Sequence, residues 1–165
     1  MNENSLEVSG LERMKGAAMA RSLAIEVISR QPAGSLPEAA AQMGVEVHKV
    51  IKSLVIKHKD GSFFFALVPG GRSISWPKLR ALLGVNKLSL PRADVALAAT
   101  GYERGTITPL GSLTPWPVIV DASIVTGSVV LGAGAHGYST IVDSAELIKA
   151  LEATVADISD PEAND

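Results

Sequence analysis

The chain of 165 residues has no cysteine, which rules out a disulfide framework, a thiolate metal site and a cysteine nucleophile. It has no run approaching the roughly 18 consecutive apolar residues that read as a membrane-spanning helix. Its opening residues, MNENSLEVSG, lack the basic start and apolar run of a secretory signal. The expectation is a soluble cytoplasmic protein. A dominant charge is missing too: 15 Lys and Arg against 17 Asp and Glu give a formal charge of −2. That excludes a strongly basic nucleic-acid binder and leaves room for a local basic patch. No G-x-x-x-x-G-K-[ST] phosphate loop occurs, and His48, His58 and His136 are too far apart in sequence for a helical metal site. No metal and no cofactor are expected. With no internal repeat and no linker, the length fits one domain around one core.

What is present alternates between helical and strand patterns. Val8, Leu11, Met14 and Ala18 recur at helical spacing, and SLAIEVISR then turns β-branched. Ser35 and Glu38 stand at capping-box spacing before a short helix that Gly44 can close. VIKSLVIKHKDGSFFFALV reads as two apolar strands joined at Asp60-Gly61, a dipeptide suited to a tight hairpin turn. Further on, SWPKLRALLG predicts a helix capped by Ser75 and stopped by Gly84. NKLSL predicts a short strand, and ADVALAAT a helix ending at Gly101. WPVIVD and GSVVLG read as strands. DSAELIKAL, with Asp143 and Glu146 at capping spacing, predicts a last helix before TVADI. The tail from residue 159, SDPEAND, is polar enough to be expected disordered. Interleaved helices and short strands predict a single α/β domain with a mixed, curved sheet.

Three stretches could carry chemistry. Residues 100–111, TGYERGTITPLG, are long for a connector, and glycines at 101, 105 and 111 let backbone approach a ligand closely. GAGAHG, residues 132–137, formally matches the dinucleotide motif G-x-G-x-x-G and follows a predicted strand. The β-branched YSTIV after it denies the helix that a Rossmann unit opens there, and a turn between strands is the competing reading. Lys52 shares a strand face with Leu54 and Ile56. It is either a strand-end lysine whose head snorkels to water or a cation at a pocket edge, placed for a phosphate or carboxylate.

VIKSLV, the turn KDG, ALV, KLRALLG, ATGYERGTITPLG, PVIVD and GAGAHG occur in the order seen in the YbaK-like aminoacyl-tRNA deacylases. These are relatives of the editing (insertion) domain of bacterial prolyl-tRNA synthetase. The chain resembles this family over about residues 24–158. The most specific feature is the lysine-bearing strand combined with the loop G-x-x-x-P-x-G, here Gly105, Pro109 and Gly111. The resemblance implies one mixed α/β domain with a curved, partly barrel-like sheet flanked by helices. Residues 1–23 would form a helical segment packed on it.

It also implies hydrolysis, in trans, of the ester joining a wrong amino acid to the 3′ end of a tRNA, that for proline above all. Such enzymes exist because a pocket separates amino acids differing by a methylene by only about 1–3 kcal/mol, so errors need a second site. By resemblance, Lys52 holds the terminal adenosine or its phosphate, and Gly105 and Thr106 stand at the scissile carbonyl. Ser53, Gly101, Tyr102, Ile107, Thr108, Pro109, Gly111, Gly134 and His136 then surround the substrate. His136 is equally open to being a solvated turn residue. Loop amides would supply oxyanion donors, each worth roughly 10²–10³ in rate, and the tRNA's terminal ribose hydroxyl would help orient the water. Members that clear cysteine carry serine and aspartate where Gly132 and Ser139 align, a departure in this chain. The implied partners are the aminoacylated CCA end of tRNA and prolyl-tRNA synthetase. The alternative is a module of the same fold that binds tRNA or a small ligand without turnover.

Overall fold

In the computed structural model, which describes residues 3–163 and side chains from residue 9 onward, residues 51–69 fold as the hairpin that Asp60-Gly61 predicts. Strands β2 (Ile51–His58) and β3 (Phe63–Pro69) pair antiparallel, with Ile51 opposite Pro69 and Lys57 opposite Phe63. The Asp60 carboxylate accepts bonds from the Ser62 amide at 2.9 Å and hydroxyl at 2.7 Å. Gly61 takes φ +90°, which only glycine adopts without steric cost.

This hairpin anchors a five-stranded mixed sheet in the order β5-β2-β3-β6-β9. Here β5 is Leu88–Ser89, β6 Val118–Asp121 and β9 Thr154–Ala156. The β3–β6 and β6–β9 pairings are parallel. A second, antiparallel sheet of order β1-β8-β7 comprises Ile25–Ser29, Tyr138–Asp143 and Ser128–Gly132. A parallel bridge between Val50 and Val130 ties the two sheets together. The arrangement is the mixed α/β fold that the pattern predicts, and no closed barrel forms among the described residues. Gly132 lies opposite Ser139 in the β7–β8 hairpin, so GAGAHG turns one strand into the next rather than opening a helix.

Alternation along β3 fills two cores. Phe65 and Leu67 join Met14, Ala18, Val55, Val120, Leu131 and Leu147 on one side. Phe64, Ala66 and Val68 join Ile56, Leu79, Ile119 and Ile158 on the other. A strand buried on both faces reads as a continuous apolar run, which is why FFFALV shows no period of two. Helix α1 (Glu3–Ala20) delivers Met14 and Ala18 to the first core, with Leu11 packed against it. The side chain of Val8 lies outside the described residues.

The remaining helices are α2 (Leu36–Met43), α3 (Trp76–Leu83), α4 (Ala93–Thr100) and α5 (Ser144–Leu151). Ser35, Ser75 and Asp143 cap α2, α3 and α5 by accepting bonds from the amides of Glu38, Lys78 and Glu146, relieving donors that a helix start leaves unpaired.

The expectation of disorder from residue 159 is corrected. Ser159–Pro161 form β10, antiparallel to β4 (Arg72–Ile74), and Ser159 is fully buried. Polar side chains hold this edge in place of an apolar pattern. Arg72 donates to Ser159 Oγ at 2.7 Å and to its carbonyl at 3.1 Å. Residues 164 and 165 lie outside the described residues. The organising group is Asp121 at the end of β6, 2% exposed, which accepts from the Ile158 amide at 2.9 Å and from the amide and hydroxyl of Ser123. Burial alone would push its carboxyl up, but the bonds from Ser123 and Ile158 outweigh it and hold the carboxyl below its ordinary value.

Asp121→Ala strands these donors, so it should destabilise the fold by about 1–3 kcal/mol at neutral pH and release amide protection at Ile158. A depressed carboxyl contributes stability that is complete above the unfolded value near 3.9 and lost as pH falls through the folded value. Denaturation midpoints measured from pH 7 downwards should therefore drop below about pH 4 in the native protein, with a shallower drop in Asp121→Asn.

Candidate functional site

A cavity of about 540 Å³ opens between α2, β2, the start of α4, the end of β7 and residues 104–107. Its walls are mostly apolar, including Leu36, Ala39, Met43, Val55, Leu90, Ala96 and Val130. Its polar lining is one-sided. Arg30, Lys52 and Arg104 line it together with Ser35, Ser53 and Ser139, and among the described residues no Asp, Glu or His does. A concave apolar wall with a few convergent polar groups is the usual form of a ligand site, and three cations without a carboxylate fit an anionic ligand.

The strand period explains what β2 offers. Ile51 and Val55 turn into the first core, whereas Leu54 and Ile56 pack with the second, so Lys52 and Ser53 point to opposite faces. The Lys52 ammonium is bonded to the Arg72 carbonyl and lies 3.3 Å from Glu162 Oε1, on the β4–β10 side. Ser53 Oγ is buried with no hydrogen-bond partner, a state that costs about 1–3 kcal/mol until something bonds it. At the other wall Arg30 Nε donates to Ser139 Oγ at 2.9 Å. Arg104 is exposed and has no ion pair or hydrogen bond among the described residues.

The glycine-rich segment divides into two parts. Gly105 and Ile107 line the cavity, and among the described residues neither amide has an acceptor. Thr106 between them is buried and occupied: its amide and hydroxyl both donate to the Glu103 carbonyl, at 3.0 and 2.7 Å, and its carbonyl accepts from Gly134 at 2.9 Å.

Gly101, Tyr102, Thr108, Pro109, Gly111 and Gly134, placed around the substrate by resemblance, do not line the cavity; they hold the segment in place instead. Arg13 reaches from α1 to donate to the Gly101 carbonyl at 2.9 Å and the Gly111 carbonyl at 3.2 Å. Its guanidinium lies 4.7 Å from the centre of the Tyr102 ring, within cation–π range. The Tyr102 hydroxyl donates to the Leu110 carbonyl at 2.6 Å, and Thr108 Oγ1 accepts from the Leu110 amide. Burial pushes the Tyr102 phenol up to about 12, with Arg13 only partly opposing it, so it stays neutral. His136 stands beside the cavity without lining it: Nε2 is 3.2 Å from Glu103 Oε2, and a Cβ on Gly105 would lie 3.7 Å from its Cε1.

Sequence reasoning did not single out Arg13, Arg30 or Arg104. Arg104 lay inside the glycine-rich segment, and its lack of any nearby acidic residue except Glu103 was the available signal. Arg13 and Arg30 sit in ordinary helical and strand context, and only the fold brings them to the loop and the cavity.

The model of the aminoacyl-tRNA editing domain matches residues 30–150. The chain belongs to the aminoacyl-tRNA editing domain family. It superposes on the crystal structure of a candidate trans-editing enzyme for prolyl-tRNA synthetase with a TM-score of 0.83 and 27% identity, over 93% of this chain and 98% of that one. Among curated relatives, a proline–tRNA ligase of Thermosipho africanus is 37% identical over 78 residues, 47% of this chain and 14% of the ligase. That of a Geobacter species is 27% identical over 142 residues, 86% of this chain and 23% of the ligase. This chain therefore spans less than a quarter of the length of those synthetases. A candidate Cys-tRNA(Pro)/Cys-tRNA(Cys) deacylase of Enterococcus faecalis is 25% identical over 104 residues, 62% of this chain and 63% of that protein. The editing domain matched here has its cavity walled by Gly105, Ile107 and residues of β2.

Arg13→Ala removes both carbonyl bonds and the ring contact, so amide exchange across residues 101–111 should speed up while the β2–β3 hairpin stays protected. Melting should show a loss of about 1–3 kcal/mol. Equal exchange in the variant and the native protein would mean that the segment holds itself.

Proposed function

We propose that this protein is an aminoacyl-tRNA deacylase that clears misacylated tRNA in trans, with tRNA for proline as its substrate. One observation carries the reading: among the described residues the cavity of an editing domain is lined by Arg30 and Arg104, by Lys52 at its edge, by no acid or imidazole, and by Gly105 and Ile107, whose amides have no acceptor. The phosphate of the tRNA's terminal nucleotide brings the negative charge that such a lining attracts. The aminoacyl ester then lies against the loop. Water adds to the ester carbonyl, and the oxyanion that forms accepts bonds from the two amides, which are fixed in place beforehand. The C–O bond to the ribose breaks, the water proton passes to the departing ribose oxygen, and free amino acid and tRNA leave.

Among the described residues that line the cavity, no carboxylate or imidazole is available as a general base. The Tyr102 phenol is neutral and the Thr106 hydroxyl is committed to Glu103. The substrate's neighbouring ribose hydroxyl orients the water instead. Lys52 takes part by exchanging Glu162 for the phosphate of the terminal nucleotide. A half-exposed pair of this kind is worth about 0–1 kcal/mol, so giving it up costs little. A protein of translation with this substrate works in the cytoplasm, and prolyl-tRNA synthetase, the source of the errors, is its second partner.

Deacylation of a panel of mischarged tRNAs tests the reading. Amino acid should be released from tRNA for proline carrying a wrong residue and not from the correctly charged form. Binding of tRNA with no release from any member would identify a module without turnover. Gly105→Val should lower the rate at least a hundredfold by displacing a donor, while Thr106→Val keeps most of it. The reverse order would place the chemistry on the threonine hydroxyl. Lys52→Ala should raise KM for tRNA about tenfold, matching the loss of one charge-assisted contact, with the melting temperature unchanged.

A further inference from the structure

Lysines that the cavity does not use gather at one edge of the five-stranded sheet. On β2 the row Ser53, Val55, Lys57 faces one side, and Ser53 and Val55 line the cavity. Lys57 continues that row about 13 Å beyond Ser53, at 3.3 Å per residue. It stands opposite Ser89 on β5, the outermost strand of the sheet. From Ser89 the chain runs directly into Leu90 and Pro91, which form the cavity wall. Lys87 precedes β5, and Lys59 follows β2 in the hairpin turn. The three thus flank a path that starts at the cavity mouth.

Lys57 is half-buried, and Lys59 and Lys87 are exposed. Among the described residues none has an ion pair or hydrogen bond. The carboxylate of this turn, Asp60, is folded back onto Ser62. In a chain of formal charge −2, other lysines and arginines are paired with acids, as Lys78 is with Asp157 and Asp160, and Arg92 with Asp94. Three free ammonium groups in a row mark a surface for a regularly charged polyanion, and the lysine stem of Lys57 can lie along the sheet while its head reaches out.

We propose that the edge formed by Lys57, Lys59 and Lys87 binds the backbone phosphates of the acceptor-stem duplex, whose unpaired end enters the cavity past Leu90. This inference rests on the editing function above and adds the direction from which tRNA approaches. An RNA duplex fits because its recognition runs through phosphates and ribose hydroxyls rather than base edges, which is what flexible lysines on a strand edge can supply.

Binding of two uncharged probes, a short RNA hairpin ending in CCA and the CCA trinucleotide alone, tests it by fluorescence anisotropy over a range of salt concentrations. The triple variant Lys57→Gln, Lys59→Gln, Lys87→Gln keeps most of each aliphatic stem. It should lose at least tenfold in hairpin affinity. The slope of log affinity against log salt should flatten by about 2–3, each lost phosphate contact accounting for roughly 0.7–0.9. Trinucleotide affinity should not change, and the corresponding Lys→Arg triple should restore hairpin binding. Unchanged hairpin affinity and slope, equal losses for both probes, or no hairpin binding by the native protein would overturn the proposal. If hairpin binding depends on the lysines while no mischarged tRNA is hydrolysed, the duplex surface stands and the deacylase reading falls.

Discussion

Everything at the site depends on backbone meeting backbone without room for a side chain. A Cβ on Gly10 of α1 would lie 2.2 Å from the Gly134 carbonyl oxygen, and one on Gly134 would lie 2.7 Å from that of Gly10. Real Cβ atoms do not approach so closely, so α1 and the β7–β8 turn can be this near only because both positions are glycine. The turn in turn holds the loop, since the Gly134 amide donates to the Thr106 carbonyl and Gly132 packs against the Ile107 carbonyl. Arg13 completes the arrangement from the same helix by bonding Gly101 and Gly111. A segment with no regular secondary structure from residue 101 to 111 is thereby fixed at both ends and in the middle. The carbonyl of Thr106 points into the protein, and the amides on either side of it are left without acceptors.

That rigidity matters because the chemistry proposed here has no acid or base of its own to lean on. With no carboxylate or imidazole among the described residues of the cavity lining, rate enhancement in the proposed reaction comes from placing dipoles where charge develops. Such dipoles work only if they need not reorganise during the reaction. Ester hydrolysis suits this economy because the substrate brings both the leaving group and a hydroxyl able to orient water. The cations play a separate part. Arg30, Lys52 and Arg104 line the cavity, and in the proposed function they draw in a polyanion that the net charge of −2 would otherwise repel. His136, paired with Glu103 next to Gly105, adds a polar group at the border of the site rather than inside it.

Much of the fold was legible because its signals are local. The Asp60-Gly61 turn and the caps Ser35, Ser75 and Asp143 act within three residues of themselves, and each forms as its spacing predicts. The ordered edge at Ser159–Pro161 was not legible. Its bonds run to Arg72 and its neighbour Ile158 is held by Asp121, partners far away in sequence, and no apolar pattern marks it. The site was legible only in part for the same reason. Composition picked out residues 100–111 as unusual, yet nothing local says that Gly105 and Ile107 line a cavity while Tyr102 and Thr108 face inward. The period of two along β2 set Lys52 with Leu54 and Ile56, and the structure keeps that face. What the pattern could not supply was the Glu162 carboxylate beside the ammonium.

In the proposed reaction the amides of Gly105 and Ile107 receive the ester oxygen. Nitrogen-labelled protein titrated with a non-hydrolysable 3′-aminoacylamino-adenosine gives the most direct measurement, with the amide proton shifts of residues 101–111 followed by NMR. The Gly105 and Ile107 amide protons should move downfield on binding, as new hydrogen bonds form, while Thr106, already bonded to Glu103, barely moves. Saturable binding with shifts confined to His136 and Thr106, and none at Gly105 or Ile107, would contradict it.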